Sequence, residues 1–286
     1  MRVIMPDDEI AKIGSLWIGG PLSWIELASI HSFVTTGHDY VLYSYEDISN
    51  APEGVQLRDA REVWDTDEIL YHSKAKSPAI HADVFRALMI QKTGRVWADT
   101  DIIALRPFPA SLEWYFGHER VDRVELGNAI MGMPAESKTL EKLTGFLAAD
   151  FPIPPWAGGK HRKRFEDMKA RGEKLHLGDL SWGSTGPKAL TYFAEETGEI
   201  QHAQKQQAFF PVSFQERKHL TDPQLGNDLA VMFREEESLC VHLYSRWLRK
   251  YTKGMVGQKP PLNSWLGQYL ASEGLVDYKA LELAHD

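Results

Sequence analysis

Residues 77–101 read SPAIHADVFRALMIQKTGRVWADTD. The stretch holds a complete helix followed by a complete strand. Ser77 can cap the helix, Pro78 suits its first turn and Gly94 its C-terminal stop. Ile80, Val84, Phe85, Leu88 and Met89 supply a core face at helical spacing over 77–93. RVWAD then reads as a short buried strand, with a second apolar run, IIAL, after Asp101. A helix feeding directly into a buried strand is the repeating unit of a sheet with helices packed upon it.

The flanking sequence agrees. IGSLWI (13–18) reads as a strand broken by Gly19, Gly20 and Pro21, and LSWIELASIHSFV has helical spacing. YVLYSY (40–45) reads as a second strand, so the chain opens β-α-β. Further along, 125–134 reads as one strand, 137–150 as a capped amphipathic helix and 184–196 as a helix starting at Pro187. Residues 238–247 read as a late strand, and 260–270 close with a helix. The expectation is an α/β fold with a mixed, mostly parallel central sheet and helices on both faces. No repeat or long linker divides the chain, so a single domain over 1–286 is expected, with an insertion or lid at 151–183. That insertion carries the basic run KHRKR (160–164), read as a solvated helix face or a contact for an anionic acceptor or membrane.

With 32 basic and 40 acidic residues the net charge is −8, which argues against a general nucleic-acid binder. An acidic protein handling an anionic ligand must do so locally, with cations or a metal. The lone cysteine, Cys240, precludes an intrachain disulfide. No signal peptide and no transmembrane-length apolar stretch are visible, so a cytoplasmic protein is expected, with peripheral attachment at the inner membrane face left open.

The chemistry gathers at Asp99 and Asp101. In an extended segment residues i and i+2 share a side, and these two stand at the carboxyl end of a strand, where open α/β sheets form ligand crevices. Two adjacent carboxylates repel unless a cation sits with them. Mn²⁺ or Mg²⁺ suits oxygen ligands and leaves positions for phosphate oxygens, so a metal bridging acids and a diphosphate is the simplest role. A bare D-x-D is a weak signal, since surface acids capping a turn produce it too. Asp83 and Arg86 sharpen it: at i and i+3 they share one flank of the helix that feeds the strand.

ADVFRALMIQKTGRVWADTD resembles the DXD-containing sugar-binding region of glycosyltransferase family 32, whose catalytic core is similar to that of the clostridial glucosylating toxins. SLWIGGPL, GNAIMGMP, STGPKALT and VHLYSRW resemble further segments of that family in the right order. Arg95 and Trp97 depart from the family's usual glycine and tyrosine.

The resemblance implies a GT-A-type nucleotide-binding sandwich. The implied activity is metal-dependent, retaining transfer of a sugar from a UDP- or GDP-sugar to a glycan or glycolipid acceptor, as in surface polysaccharide or lipopolysaccharide synthesis. It implies Asp101 as the direct metal ligand, Asp99 near ribose or a metal-bound water, Asp83 on sugar hydroxyls, and Arg86 positioning the acids or the donor. Trp17 is either a stacking partner for the base or a core residue. Asn128 either contacts a substrate or is a strand-end amide satisfied by backbone. His242 is either a third metal ligand or a structural histidine. Ser264 and Trp265 either close over the diphosphate or simply begin a helix, and Asp179 is the candidate for acceptor contact.

Two other readings compete. In a haloacid-dehalogenase-type phosphohydrolase Asp99 would be a phosphoryl-accepting nucleophile, but that motif normally opens its domain and no second paired-acid motif is obvious. A non-catalytic sugar-nucleotide-binding protein on the same fold would have less need of the retained acids.

Overall fold

The computed structural model describes residues 9–120, 122–235, 237–278 and 280. The chain runs through β1 (Ile13–Trp17), α1 (Trp24–Thr35), β2 (Tyr40–Ser44), β3 (Gln56–Asp59), α2 (Ala79–Thr93), β4 (Val96–Ala98) and β5 (Ile102–Ala104). It continues with β6 (Gly117–His118), β7 (Leu126–Gly127), β8 (Ile130–Met131), α3 (Lys138–Leu147), α4 (Gly159–Ala170), α5 (Pro187–Thr197) and α6 (Gln206–Phe209). The last elements are α7 (Gly226–Glu235), β9 (Cys240–His242), α8 (Ser245–Thr252) and α9 (Trp265–Ser272). The central sheet has the order β3-β2-β1-β4-β8; the first four strands are parallel and β8 is antiparallel to β4.

Both faces of this sheet are buried, which is why its inner strands are nearly continuous apolar runs. Ile13, Tyr40, Leu42, Val96 and Ala98 pack with Ile30 and Phe33 of α1. Their alternate neighbours Leu16, Val41, Tyr43 and Trp97 pack with Val84, Phe85 and Met89 of α2. The expected mixed, mostly parallel sheet between helices is therefore the architecture. Strand parity also decides the site: Asp99 is two residues beyond Trp97, so it emerges on the α2 face.

Local chemistry sets the element ends. Ser23 and Glu26 form a capping box on α1, with Ser23 N donating to Glu26 Oε2 at 2.9 Å. Gly94 ends α2 in the left-handed conformation at φ 67°, a position that favours glycine. The cap position of α2 falls on Pro78 rather than Ser77; Ser77 Oγ accepts from Ala79 N at 3.3 Å.

Three expectations need correction. Residues 125–134 are not one strand: β7 pairs with β6 and β8 with β4, and the carbonyl between them goes to Arg86 rather than to a strand. Asn128 O accepts from Arg86 Nη1 (2.9 Å) and Ala129 O from Asp99 N (2.7 Å). The late strand stops at His242, since Tyr244 turns the chain at φ 54° and α8 begins at Ser245. Asp99 and Asp101 do not lie on an extended segment; residues 100 and 101 form a turn between β4 of the central sheet and β5 of a two-stranded ribbon with β9. The edge strand β3, exposed along its length, carries no apolar pattern and was not anticipated.

In segment 151–183, α4 buries no residue, whereas Leu175, Leu177 and Leu180 join the α2-side core. No helix among the described residues is long and apolar enough to cross a membrane.

The β6-β7 hairpin is pinned by Phe210, which is fully buried with its ring against Gly127. A Cβ on Gly127 would lie 2.2 Å from Phe210 Cζ. Gly127→Ala is expected to destabilise the protein by about 1–3 kcal/mol through overpacking, read as a lowered midpoint in urea denaturation.

Candidate functional site

Arg86 is the centre of the site. It projects from α2, is 5% exposed, and its guanidinium lies 4.9 Å over the Trp97 ring. Nη2 donates to Asp99 Oδ1 at 2.9 Å; Nη1 donates to Asn128 O and lies 3.2 Å from Asp83 Oδ1. The planar fork of an arginine suits such a multi-pronged contact, which a lysine could not reproduce. Trp97 Nε1 donates to the same Asp99 oxygen at 2.7 Å, so the tryptophan of β4 holds the first acid of the pair.

Asp83 is held on both oxygens. Asn128 Nδ2 donates to Oδ1 (2.9 Å) and Thr185 Oγ1 to Oδ2 (2.6 Å). The approach of Thr185 explains the glycine in STGP: a Cβ on Gly186 would lie 2.5 Å from Asn128 Nδ2 and 2.9 Å from Asp83 Oδ1. Burial pushes the Asp83 carboxyl up from its ordinary value, with Arg86, Thr185 and Asn128 opposing.

Asp101 is held from the other side. The ribbon register places His242 opposite Ile102, and Leu243 N donates to Asp101 O at 2.9 Å. His242 Nε2 lies 3.4 Å from Asp101 Oδ1, and Ser245 N, at the start of α8, donates to Oδ2 at 2.7 Å. The left-handed turn at Tyr244 brings that amide into place. Burial alone would raise Asp101, but His242 and Ser245 outweigh it and hold the carboxyl well below the usual range. Burial would likewise lower His242, and Asp101 reverses this to raise it. Asp99 goes the other way: burial, with some help from Asp101, outweighs Arg86 and raises its pKa.

Ligand atoms of Asp99, Asp101 and His242 all lie within 4.8 Å of one another. Two carboxylates and an imidazole form a set suited to a divalent first-row ion such as Mn²⁺. His242 Nδ1 is buried without a hydrogen-bond partner, which is uncommon for a polar atom and fits a cation-holding role. These groups line a cavity of about 800 Å³, within the range of ligand sites.

The structure thus brings Asp83, Arg86, Asp99, Asp101, Asn128 and His242 to one cavity. It leaves the other candidates outside the cavity's lining. Trp17 donates Nε1 to Gly20 O at 2.8 Å. Ser264 is fully buried and caps α9, accepting from Gly267 N at 3.1 Å, while Trp265 packs in the core beneath α1. Asp179 accepts from Ser73 Oγ at 2.7 Å. Sequence reasoning missed Glu119, Thr185, Ser245 and Arg246, which all line the cavity. Thr185 and Ser245 lay within quoted motifs, STGP and VHLYSRW, whereas nothing around Glu119 marked it.

No family model matches the chain, and no curated protein does. Among solved structures the chain is similar to one described as PaToxG Glycosyltransferase, with 15% identity over 80% of this chain and 79% of that one, at a TM-score of 0.41. A likeness of that size carries neither substrate nor mechanism across.

Removing Arg86 would leave Asp83 and Asp99 without their shared cation. Arg86→Ala is expected to cost about 3–5 kcal/mol in urea unfolding, the penalty of breaking a buried charge network. Isothermal titration should also show weaker Mn²⁺ binding, because Asp99 is no longer held.

Proposed function

We propose that the chain is a metal-dependent, retaining glycosyltransferase of the GT-A type, a single transferase unit with segment 151–183 as an insertion. It would move a sugar from a UDP- or GDP-sugar to a glycan or glycolipid acceptor, in surface polysaccharide or lipopolysaccharide synthesis at the cytoplasmic side of a membrane. The observation that carries the reading is one cavity holding both the Asp99-Asp101-His242 cluster and the Asp83-Arg86-Asn128 network.

In this reading Asp101, Asp99 and His242 hold a divalent ion, Mn²⁺ or Mg²⁺, which when bound would supply Lewis-acid neutralisation of charge on the departing diphosphate. Asp83 presents carboxylate oxygen to donor-sugar hydroxyls, and Arg86 fixes Asp83 relative to Asp99. The diphosphate-holding role expected of Ser264 and Trp265 passes to Arg246 in the first turn of α8, beside the Ser245 amide that already holds Asp101. For the phosphohydrolase alternative, a second metal motif would have to come from segments such as TDPQ (221–224) and GNDLA (226–230), and neither Asp222 nor Asp228 lines the cavity.

The test is a screen of UDP- and GDP-hexoses with Mn²⁺. A donor at 100 times its Kd should stabilise the protein by about 2.7 kcal/mol, and donor hydrolysis should require the metal. Asp101→Ala should lose both; hydrolysis at the wild-type rate in that variant would remove Asp101 from the mechanism. Metal-dependent donor binding without turnover on any acceptor would favour the binding protein instead, and a trapped phosphoaspartate at Asp99 the phosphohydrolase.

A further inference from the structure

The acids placed in the site so far have fixed partners. Asp83 accepts from Asn128 and Thr185, Asp99 from Arg86 and Trp97, and Asp101 from Ser245. Glu125, also on the cavity wall, is ion-paired with Arg123. Glu119 differs. It follows β6, where its backbone N donates to Glu125 O at 2.9 Å and so anchors the residue to the hairpin. Its side chain lines the same cavity, partly buried, yet among the described residues no hydrogen-bond donor or ion-pair partner meets its carboxylate. Arg120, the adjacent cation, is bidentate with Asp122, at 2.7 and 2.6 Å. Glu119 interacts electrostatically with His242, Glu125, Arg120, Asp99 and Tyr244 without a hydrogen bond to any of their side chains, so it stands near the metal cluster, but it is not one of the three residues whose ligand atoms converge within 4.8 Å.

A carboxylate that lines a cavity and accepts no hydrogen bond from the protein is open to accept one from a ligand. The donor-side roles are taken by groups already tethered. We infer that Glu119 is the acceptor-side residue, its carboxylate receiving the hydrogen bond of the incoming hydroxyl and aiming that oxygen at the anomeric carbon. The inference rests on the glycosyltransferase reading above. In the step it serves, the acceptor oxygen bonds the anomeric carbon while that carbon's bond to the diphosphate oxygen breaks. The bonding pair leaves with the diphosphate; as it does, the hydroxyl proton swings from its hydrogen bond with Glu119 to the departing diphosphate oxygen, and Glu119 ends unchanged. The ligand class is a neutral hydroxyl donor: a sugar alcohol group, or water in its absence.

Water makes the test independent of the natural acceptor. Mn²⁺-dependent hydrolysis of UDP-glucose and GDP-mannose is measured with wild type, Glu119→Ala and the isosteric Glu119→Gln, and Mn²⁺ and UDP or GDP binding by titration calorimetry. Glu119→Ala should lower kcat about 100-fold through lost positioning, while Mn²⁺ and nucleotide affinities stay within about twofold. Glu119→Gln keeps an acceptor oxygen without the charge and should lose about tenfold. Formate, a free carboxylate, should restore part of the rate to Glu119→Ala, which it would not do for a purely structural residue. Unchanged hydrolysis in both variants overturns the inference. So does a tenfold loss of Mn²⁺ affinity, which would make Glu119 a metal ligand. A wild-type protein that neither binds nor hydrolyses any sugar nucleotide overturns the glycosyltransferase reading itself, and this inference with it.

Discussion

The site depends on one buried guanidinium. Arg86 spans Asp83, Asp99 and the carbonyl of Asn128, and its flat face rests on Trp97. Each of those contacts belongs to a different part of the chain: α2, the turn after β4, the kink between β7 and β8, and β4 itself. A charge with so little solvent must be satisfied by the protein, and satisfying it fixes all four segments relative to one another. The kink that splits residues 125–134 into two strands is part of that cost. Asn128 gives its backbone carbonyl to Arg86, which takes it out of any ladder, while its side-chain amide holds Asp83.

The second organising element is the turn from Asp99 to Asp101, which passes the chain from the central sheet to the ribbon of β5 and β9. Its two acids consequently answer to different cations. Asp99 faces Arg86 on the α2 side, and Asp101 faces His242 and the first amide of α8 on the ribbon side. Like charges that are close but separately held are fixed in place, with part of their repulsion offset by the groups that hold them.

Much of this was legible in the sequence because it is local. The 3.6-residue period of 77–93 and the apolar runs of β1, β2 and β4 are consequences of burial on one or both faces, and they name the sheet directly. Asp83, Arg86, Asp99 and Asp101 fall within nineteen consecutive residues, so spacing alone placed them together. Ser264 and Trp265 were not so constrained, and the serine proved to be a helix cap for the ordinary reason that serine caps helices. His242 and Ser245 reach the site through the register of β9 against β5, a pairing across 140 residues that no local pattern encodes. Glu119 was invisible for a related reason: its significance is the lack of a partner, which only the packed chain reveals. Arg95 and Trp97 each hold an acid in place, one pairing with Asp39 at 3.0 Å and the other donating to Asp99.

Charge arrangement around the cavity completes the argument. The protein is acidic overall, yet the cavity wall is balanced: Asp83, Asp99, Asp101, Glu119 and Glu125 stand against Arg86, Arg120, Arg123, Lys188 and Arg246. The balance is uneven in space. Arg86, Arg120 and Arg123 are bound to carboxylates, whereas Lys188 and Arg246 have no acidic partner among the described residues; Arg246 instead lies 5.1 Å over the half-exposed Trp182 ring. Both sit in the first turns of their helices, α5 and α8, where the backbone adds positive potential. A cavity that is neutral as folded would gain two positive charges with a divalent ion, matching the two negative charges of a sugar-nucleotide diphosphate. In the proposed function the free cations would set where that diphosphate lies, and the tethered acids where the ion lies.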